Sequence, residues 1–188
     1  MKKITVHLGN RSYPIVIGKS LLPRIGSLMK PFHLGPKILV ISNRKVAKYF
    51  FSAVRRSLER ASFQVFLHVL PYGNERDKSE RSLGQIWRRM SQIGFDRSSA
   101  VLALGGGVVG DVSGFAASTY MRGIAFVQVP TTLLAQVDSA IGGKTAIDLP
   151  TAKNIVGMFH QPRIVISDVE TLKTLSPQEF RNSFAEVI

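Results

Sequence analysis

Apolar positions recur along this chain in two rhythms, and the changes between them mark its elements. In "KITVHL" (3–8) and "SYPIVIG" (12–18), apolar and polar residues alternate around "GNR", which predicts an antiparallel hairpin. From Lys37 the pattern changes. "KILVIS" (37–42) reads as a short buried strand, and Val46, Phe50, Val54 and Leu58 then recur every fourth residue, as on one face of a helix. "FQVFLHVL" (63–70) is a further strand, and Leu83, Ile86, Trp87, Met90 and Ile93 mark a second amphipathic helix. "SAVLAL" (99–104), a helix from about Asp111, "IAFVQV" (124–129) and a helix from about Thr132 continue the alternation.

Repeated βα units of this kind predict an α/β fold, a Rossmann-like, doubly wound, mostly parallel sheet that follows the N-terminal hairpin. Ligands of such sheets lie at the carboxyl ends of the strands. Beyond Thr145 the alternation is less clear. "RIVISD" (163–168) is another strand, and "SPQEF" (176–180) has the Ser cap and first-turn Pro of a new helix. The expected division is therefore a domain over residues 1–174 and the beginning of an α-helical domain over 175–188, with the rest of that domain absent.

A length of 188 residues is enough for one domain with a substantial core. Without cysteine the chain has no disulfides and no thiolate metal ligands. His7, Asn10 and Arg11 interrupt the apolar run that a signal peptide would need, and no stretch approaches ~18 unbroken apolar residues. The chain therefore reads as cytoplasmic, with no membrane partner. The net charge of +13 is unevenly placed: residues 1–100 carry 19 Lys/Arg against 5 Asp/Glu, and residues 101–188 carry 6 against 7. The excess falls on polar faces of predicted helices, as at Arg55, Arg56, Arg60, Arg88 and Arg89, without interleaved aromatics. That pattern favours a solvated basic surface over a nucleic-acid site and would also attract anionic substrates.

The candidate chemistry lies in the other half. Gly105, Gly107 and Gly110 fit G-x-G-x-x-G, after a strand and at the start of a helix, where bare backbone amides can approach a diphosphate. The motif follows the third strand of the alternation rather than the first, and Asp111 adjoins the last glycine rather than lying ~20 residues on. Spacing alone leaves a second reading open, a tight turn with Asp111 as N-cap. Downstream, "VPTTLLAQVDSAIGGKTAIDLPTAKN" (129–154) puts Thr131 and Thr132 at a strand end and Asp138 in an otherwise apolar helix. Buried there, Asp138 needs a polar cleft or a partner such as Lys144. Two glycine turns, two threonines, Lys144, Lys153 and Asn154 near strand ends suit an anionic, hydroxylated ligand beside a nucleotide.

In this order, "GGGVVGD", "YMRG", "VPTTLLAQVDSAIGGKTAID", "KNIVGMFHQP" and the final "FAEVI" resemble the 3-dehydroquinate synthase family. The resemblance implies NAD in the Rossmann-like domain and a divalent metal, zinc or cobalt, in a helical domain. It places the sugar phosphate 3-deoxy-D-arabino-heptulosonate 7-phosphate between the two. NAD transiently oxidises one ring hydroxyl, phosphate leaves, the hydride returns, and ring opening and aldol closure give 3-dehydroquinate. Carried over by motif, Gly107, Val108, Val109, Gly110, Asp111, Thr131, Thr132, Lys144, Lys153, Thr171, Leu172, Lys173 and Thr174 line the nucleotide. Asp138, Lys144 and Asn154 meet the substrate, and Arg122 reaches a phosphate across a homodimer interface.

Glu186 is implied as the acidic metal ligand, while His7, His33, His68 and His160 are dispersed. Glu75 and Lys78 match a Gly-Glu-x-x-Lys segment that in the family contacts the adenosine side of the cofactor and that Asn74 interrupts here, and Ala152 stands where a glycine is common. The family's two zinc histidines lie beyond the last residue here, so the resemblance implies an inactive N-terminal fragment. Its neighbours are other sugar-phosphate cyclases and polyol dehydrogenases of the same superfamily. A non-catalytic nucleotide-binding module is the reading from another class.

Overall fold

The structure is a computed structural model that describes the backbone of residues 1–186 and the side chains of residues 1–184. β1 (Lys2–Val6) and β2 (Tyr13–Gly18) form the expected antiparallel hairpin. After the one-and-a-half-turn helix α1 (Ile25–Met29), the alternation runs through β3 (Lys37–Asn43), α2 (Arg44–Arg60), β4 (Gln64–Leu70), α3 (Glu80–Gln92), β5 (Ala100–Gly105), α4 (Gly107–Thr119) and β6 (Ala125–Pro130). A second hairpin, β7 (Lys144–Leu149) and β8 (Ala152–Phe159), precedes β9 (Ile164–Asp168) and α5 (Pro177–Asn182).

One seven-stranded sheet has the order β1-β2-β9-β6-β5-β3-β4, and every pairing in it except β1 with β2 is parallel. Alternate residues of each strand point to opposite faces, so the apolar runs fill two cores. Ile38, Val40, Leu102 and Leu104 pack with Leu21, Ile25, Val54 and Leu58 on one side. Leu39, Ile41, Val101 and Ala103 pack with Ile86, Met90, Val112 and Ala116 on the other. Burial on both faces is why these strands read as continuous apolar runs. The chain leaves β3 towards α2 on the first face and β5 towards α4 on the second, which opens a crevice at their neighbouring carboxyl ends.

Three local features depart from the sequence reading. α4 starts at Gly107, four residues before the expected Asp111, and its cap is Gly106 rather than Asp111. The helix expected from about Thr132 begins there but is short, over residues 133–139, and is widened to π geometry over Ala135–Ser139. The region where the alternation weakened is the β7–β8 hairpin, with all eight residues of β8 exposed. α4 is apolar nearly all round because it is sandwiched between the sheet and this hairpin. A Cβ at Gly114 would collide with Thr145 and Phe126. At the C-terminal edge, Ser176 caps α5 as expected, and Glu179 completes a capping box with it. No helix among the described residues is long and apolar enough to cross a membrane.

Candidate functional site

Two clefts open at the carboxyl ends of the strands, one on each side of the start of α4. The first, about 650 Å³, is lined by Gly106, Gly107, Val108, Val109, Thr131, Thr132 and Thr174. No side chain caps α4, and the first amide to bond back along the helix is that of Gly110, to the carbonyl of Gly106 at 3.1 Å. The amides of Gly107, Val108 and Val109 therefore precede the helical ladder, and the positive end of the helix dipole faces the cleft.

The glycines divide the work. A Cβ at Gly106 would lie 3.1 Å from Thr132 Cγ2, and one at Gly107 would lie 3.0 Å from Ser139 Oγ, so the turn is lined by bare backbone. Gly110 sits inside, where a Cβ would meet the Gln128 amide at 3.1 Å, and it serves helix–sheet approach rather than the cleft. Thr131 Oγ1 is buried without a hydrogen-bond partner among the described residues. A cradle of free amides with a spare hydroxyl fits a diphosphate-bearing nucleotide.

The second cleft, about 440 Å³, brings together Asp111, Asp138, Lys144 and Asn154 with Thr145 and Ser139. Asp111 turns to this side and pairs with Lys78 at 2.9 Å, which displaces the N-cap reading. Lys78, only 4% exposed, also lies 3.5 Å from Glu75 and 3.9 Å from Asp148, and its ammonium donates to Asn154 Oδ1. Burial alone would lower the Lys78 pKa, but the Asp111 hydrogen bond and the surrounding carboxylates outweigh it and hold it above the ordinary lysine value. Burial raises the Asp111 pKa, against Lys78 and with help from Glu75 and Asp148.

Asn74 does not separate Glu75 and Lys78 from the site. It caps the short turn Glu75–Asp77, and buried Asp77 accepts from the amides of Gly73 and Tyr72 at 2.5 and 3.3 Å, which fixes the loop that carries Lys78.

Asp138 faces the second, polar cleft, one of the two alternatives that its position in the sequence left open, and it is not paired with Lys144. The short turn that carries it lies on the surface, with Leu134 and Val137 also exposed, and Asp138 makes no ion pair among the described residues. Lys144 and Lys153 are exposed. Of the 171–174 stretch, Thr174 reaches the first cleft. Thr171 is buried, donating to the Asp168 carbonyl and accepting from Gln136, Leu172 is half-buried, and Lys173 points outward beside Glu170. Arg122 is exposed on a left-handed turn away from both clefts, with φ 65. Among the described residues no three His, Asp or Glu side chains converge on a metal site, and the Glu186 side chain lies outside them.

Sequence reading passed over Asn43, Lys45 and Tyr49, which line the first cleft from the end of β3 and the start of α2. The rule that ligands sit where neighbouring strands send their chains to opposite faces could have found them. It also passed over Asp148, for which the neighbouring sequence carries no signal, since Lys78 and the strand opposite are what single it out.

A family model described as 3-dehydroquinate synthase N-terminal matches residues 68–182. The 3-dehydroquinate synthase of Pelobacter propionicus is 52% identical over 188 residues, which are all of this chain and 52% of that protein. Among solved structures, the 2-epi-5-epi-valiolone synthase of Streptomyces hygroscopicus, with NAD+ and Zn2+ bound, superposes with a TM-score of 0.85 at 30% identity over 97% of this chain and 50% of that one. A 2-deoxy-scyllo-inosose synthase complexed with carbaglucose-6-phosphate, NAD+ and Co2+ gives 0.85 at 27% identity, over 95% and 49%. The chain spans about half the length of the curated relatives it matches. With the glycine cradle, the paired clefts and the matched segment in agreement, the chain belongs to the 3-dehydroquinate synthase family.

Proposed function

We propose that this chain is the nucleotide-binding part of a cytoplasmic, homodimeric 3-dehydroquinate synthase, which converts 3-deoxy-D-arabino-heptulosonate 7-phosphate to 3-dehydroquinate and phosphate. The observation that carries this reading is the uncapped start of α4, open to a 650 Å³ cleft on one side and adjoined on the other by Asp111, Asp138, Lys144 and Asn154. The diphosphate of NAD would rest on the amides of Gly107 to Val109, with Thr131 and Thr132 beside it. When bound, NAD supplies a hydride acceptor at a ring hydroxyl and gives the hydride back. The chain's own residues orient the sugar phosphate: Asp138 accepts from hydroxyls, Asn154 donates and accepts, and Lys144 offers an ammonium to phosphate or carboxylate.

The metal does not fit the described residues, so no step is routed through it. On this reading Glu186 is one ligand, and the others belong to the half of the relatives' length that this chain does not span. Residues 1–174 then form the nucleotide domain and 175–188 begin a helical one, in keeping with exposed Phe180 and Phe184 on the last described helical turns. Arg122, exposed on its turn, is free to reach a second subunit. Identities near 50% to 3-dehydroquinate synthases favour this product over those of the cyclases matched at 27% and 30%.

Calorimetric titration of the 188-residue chain with NAD+ tests the reading. Weak binding is expected, lowered about tenfold by Asp111→Ala and about twofold by Glu75→Ala, because Asp111 is the closer partner of Lys78 and less exposed. A folded chain that does not bind NAD+ overturns it. With NAD+ and zinc alone the chain should release no phosphate from the substrate, and joining it to the remaining half of a relative should restore release.

A further inference from the structure

The β7–β8 hairpin slips register at one place. Ile147 pairs with Val156 and Leu149 with Ala152, so Asp148 alone stands opposite Lys153, Asn154 and Ile155. Surplus residues on one strand lose their ladder partners and swing their side chains to new directions. Asn154 takes a left-handed backbone, φ 54, and its amide donates to Asp148 Oδ1 at 2.7 Å instead of to the facing strand. The same carboxylate lies 3.9 Å from Lys78 Nζ, and Lys78 Nζ donates in turn to Asn154 Oδ1. The Asp148 amide closes the ring by donating to the Lys78 carbonyl at 2.9 Å.

We propose that Asp148 is a positioning residue: its carboxylate holds the bulge in the one conformation that aims Asn154 and Lys153 at their ligands, and it ties the bulge to Lys78. The inference rests on the nucleotide and substrate roles proposed for Lys153 and Asn154. Stability does not require this bond. The Asn154 amide lies on an exposed strand, where water can replace the carboxylate at little cost to folding. What water cannot supply is a fixed direction for the two side chains.

The test compares Asp148→Ala and Asp148→Asn in the full chain, by amide hydrogen exchange at Asn154 and by NAD+ titration. Asparagine keeps an oxygen that accepts the amide, and alanine does not. Exchange at Asn154 should speed up about tenfold or more in Asp148→Ala and stay near the parent rate in Asp148→Asn, with exchange in β5 unchanged in both. NAD+ affinity should fall about fivefold with alanine and less than twofold with asparagine. Unchanged Asn154 exchange in Asp148→Ala, or equal losses of affinity in the two variants, would overturn the inference. If Asp148→Ala does not fold, Asp148→Asn decides alone: protection kept supports the inference, protection lost refutes it. If the parent chain does not bind NAD+, the functional reading fails, and the exchange comparison still decides whether Asp148 holds the bulge.

Discussion

The seven-stranded sheet and the β7–β8 hairpin both carry residues of the candidate site, but they hold their shape in different ways. In the sheet, Leu39, Leu102 and Val127 are wholly buried, and the inner strands are fixed by apolar cores on both faces. In the hairpin every residue of β8 is exposed, Phe159 to 75%, and only Thr145 and Ile147 of β7 are buried well against α4. Its tip is set by polar contacts instead: Asp148, Asn154 and Lys78 bond to one another. The nucleotide cradle thus stands on the deeply packed part, while Lys144 and Asn154, proposed to meet the substrate, stand on a part whose geometry depends on a few charged groups. Such a division lets the ligand-facing residues change without loss of the fold.

Core truncation should expose the contrast most strongly. Leu102→Ala, in the middle of the inner strand β5, should cost about 3 kcal/mol in urea denaturation, since both the lost transfer energy and the cavity count against it. Met158→Ala, 54% exposed on β8, should cost under about 0.5 kcal/mol. Similar losses at the two sites would show that the hairpin is as firmly packed as the sheet.

Next in size is the charge that links the two regions. Lys78→Ala leaves Asp111, 19% exposed, beside Asp148 and Glu75 without a cation, and should cost about 2 kcal/mol, less than a fully buried pair because Asp111 retains some solvent. The pH dependence has a definite sign. The Lys78 pKa is raised in the folded chain, so its contribution is fully present below the ordinary lysine value of 10.5 and is lost as pH rises through the higher folded value. Denaturation of parent and variant between neutral and strongly alkaline pH should therefore converge at the alkaline end.

The smallest effect lies on the sheet side, at the turn that feeds β5. Asp96 accepts from Ser98 and Ser99, and the Ser98 side chain leads in holding its carboxyl down to about 2. Its contribution is present above the ordinary aspartate value and disappears as pH falls through about 2. A carbon-detected NMR titration should find that midpoint, and Ser98→Ala should move it upward. A midpoint already at the ordinary value would mean that the turn is not held by these bonds.

The amino-acid sequence by itself determined the βα alternation, the N-terminal hairpin, the capped helix at Ser176 and the glycine turn after β5. In each case the signal is local: a strand buried on both faces must be an apolar run, and a turn that admits a ligand must lack side chains. Local signals failed where the decision depended on distant segments. Asp138 sits among apolar neighbours, which left a polar cleft and a Lys144 pair both open, and only the fold, which turns Leu134 and Val137 outward beside it, sets it at a cleft, unpaired among the described residues. Asp111 follows a glycine as an N-cap would, yet the helix has already begun and Lys78, thirty-three positions earlier, claims its carboxylate. Asp148 has no mark in its own neighbourhood, because its role arises only when the bulge opposite and the Lys78 loop are folded against it. Tertiary structure decided these three because burial and pairing of a charge are properties of the surroundings, and residues remote in sequence supply the surroundings.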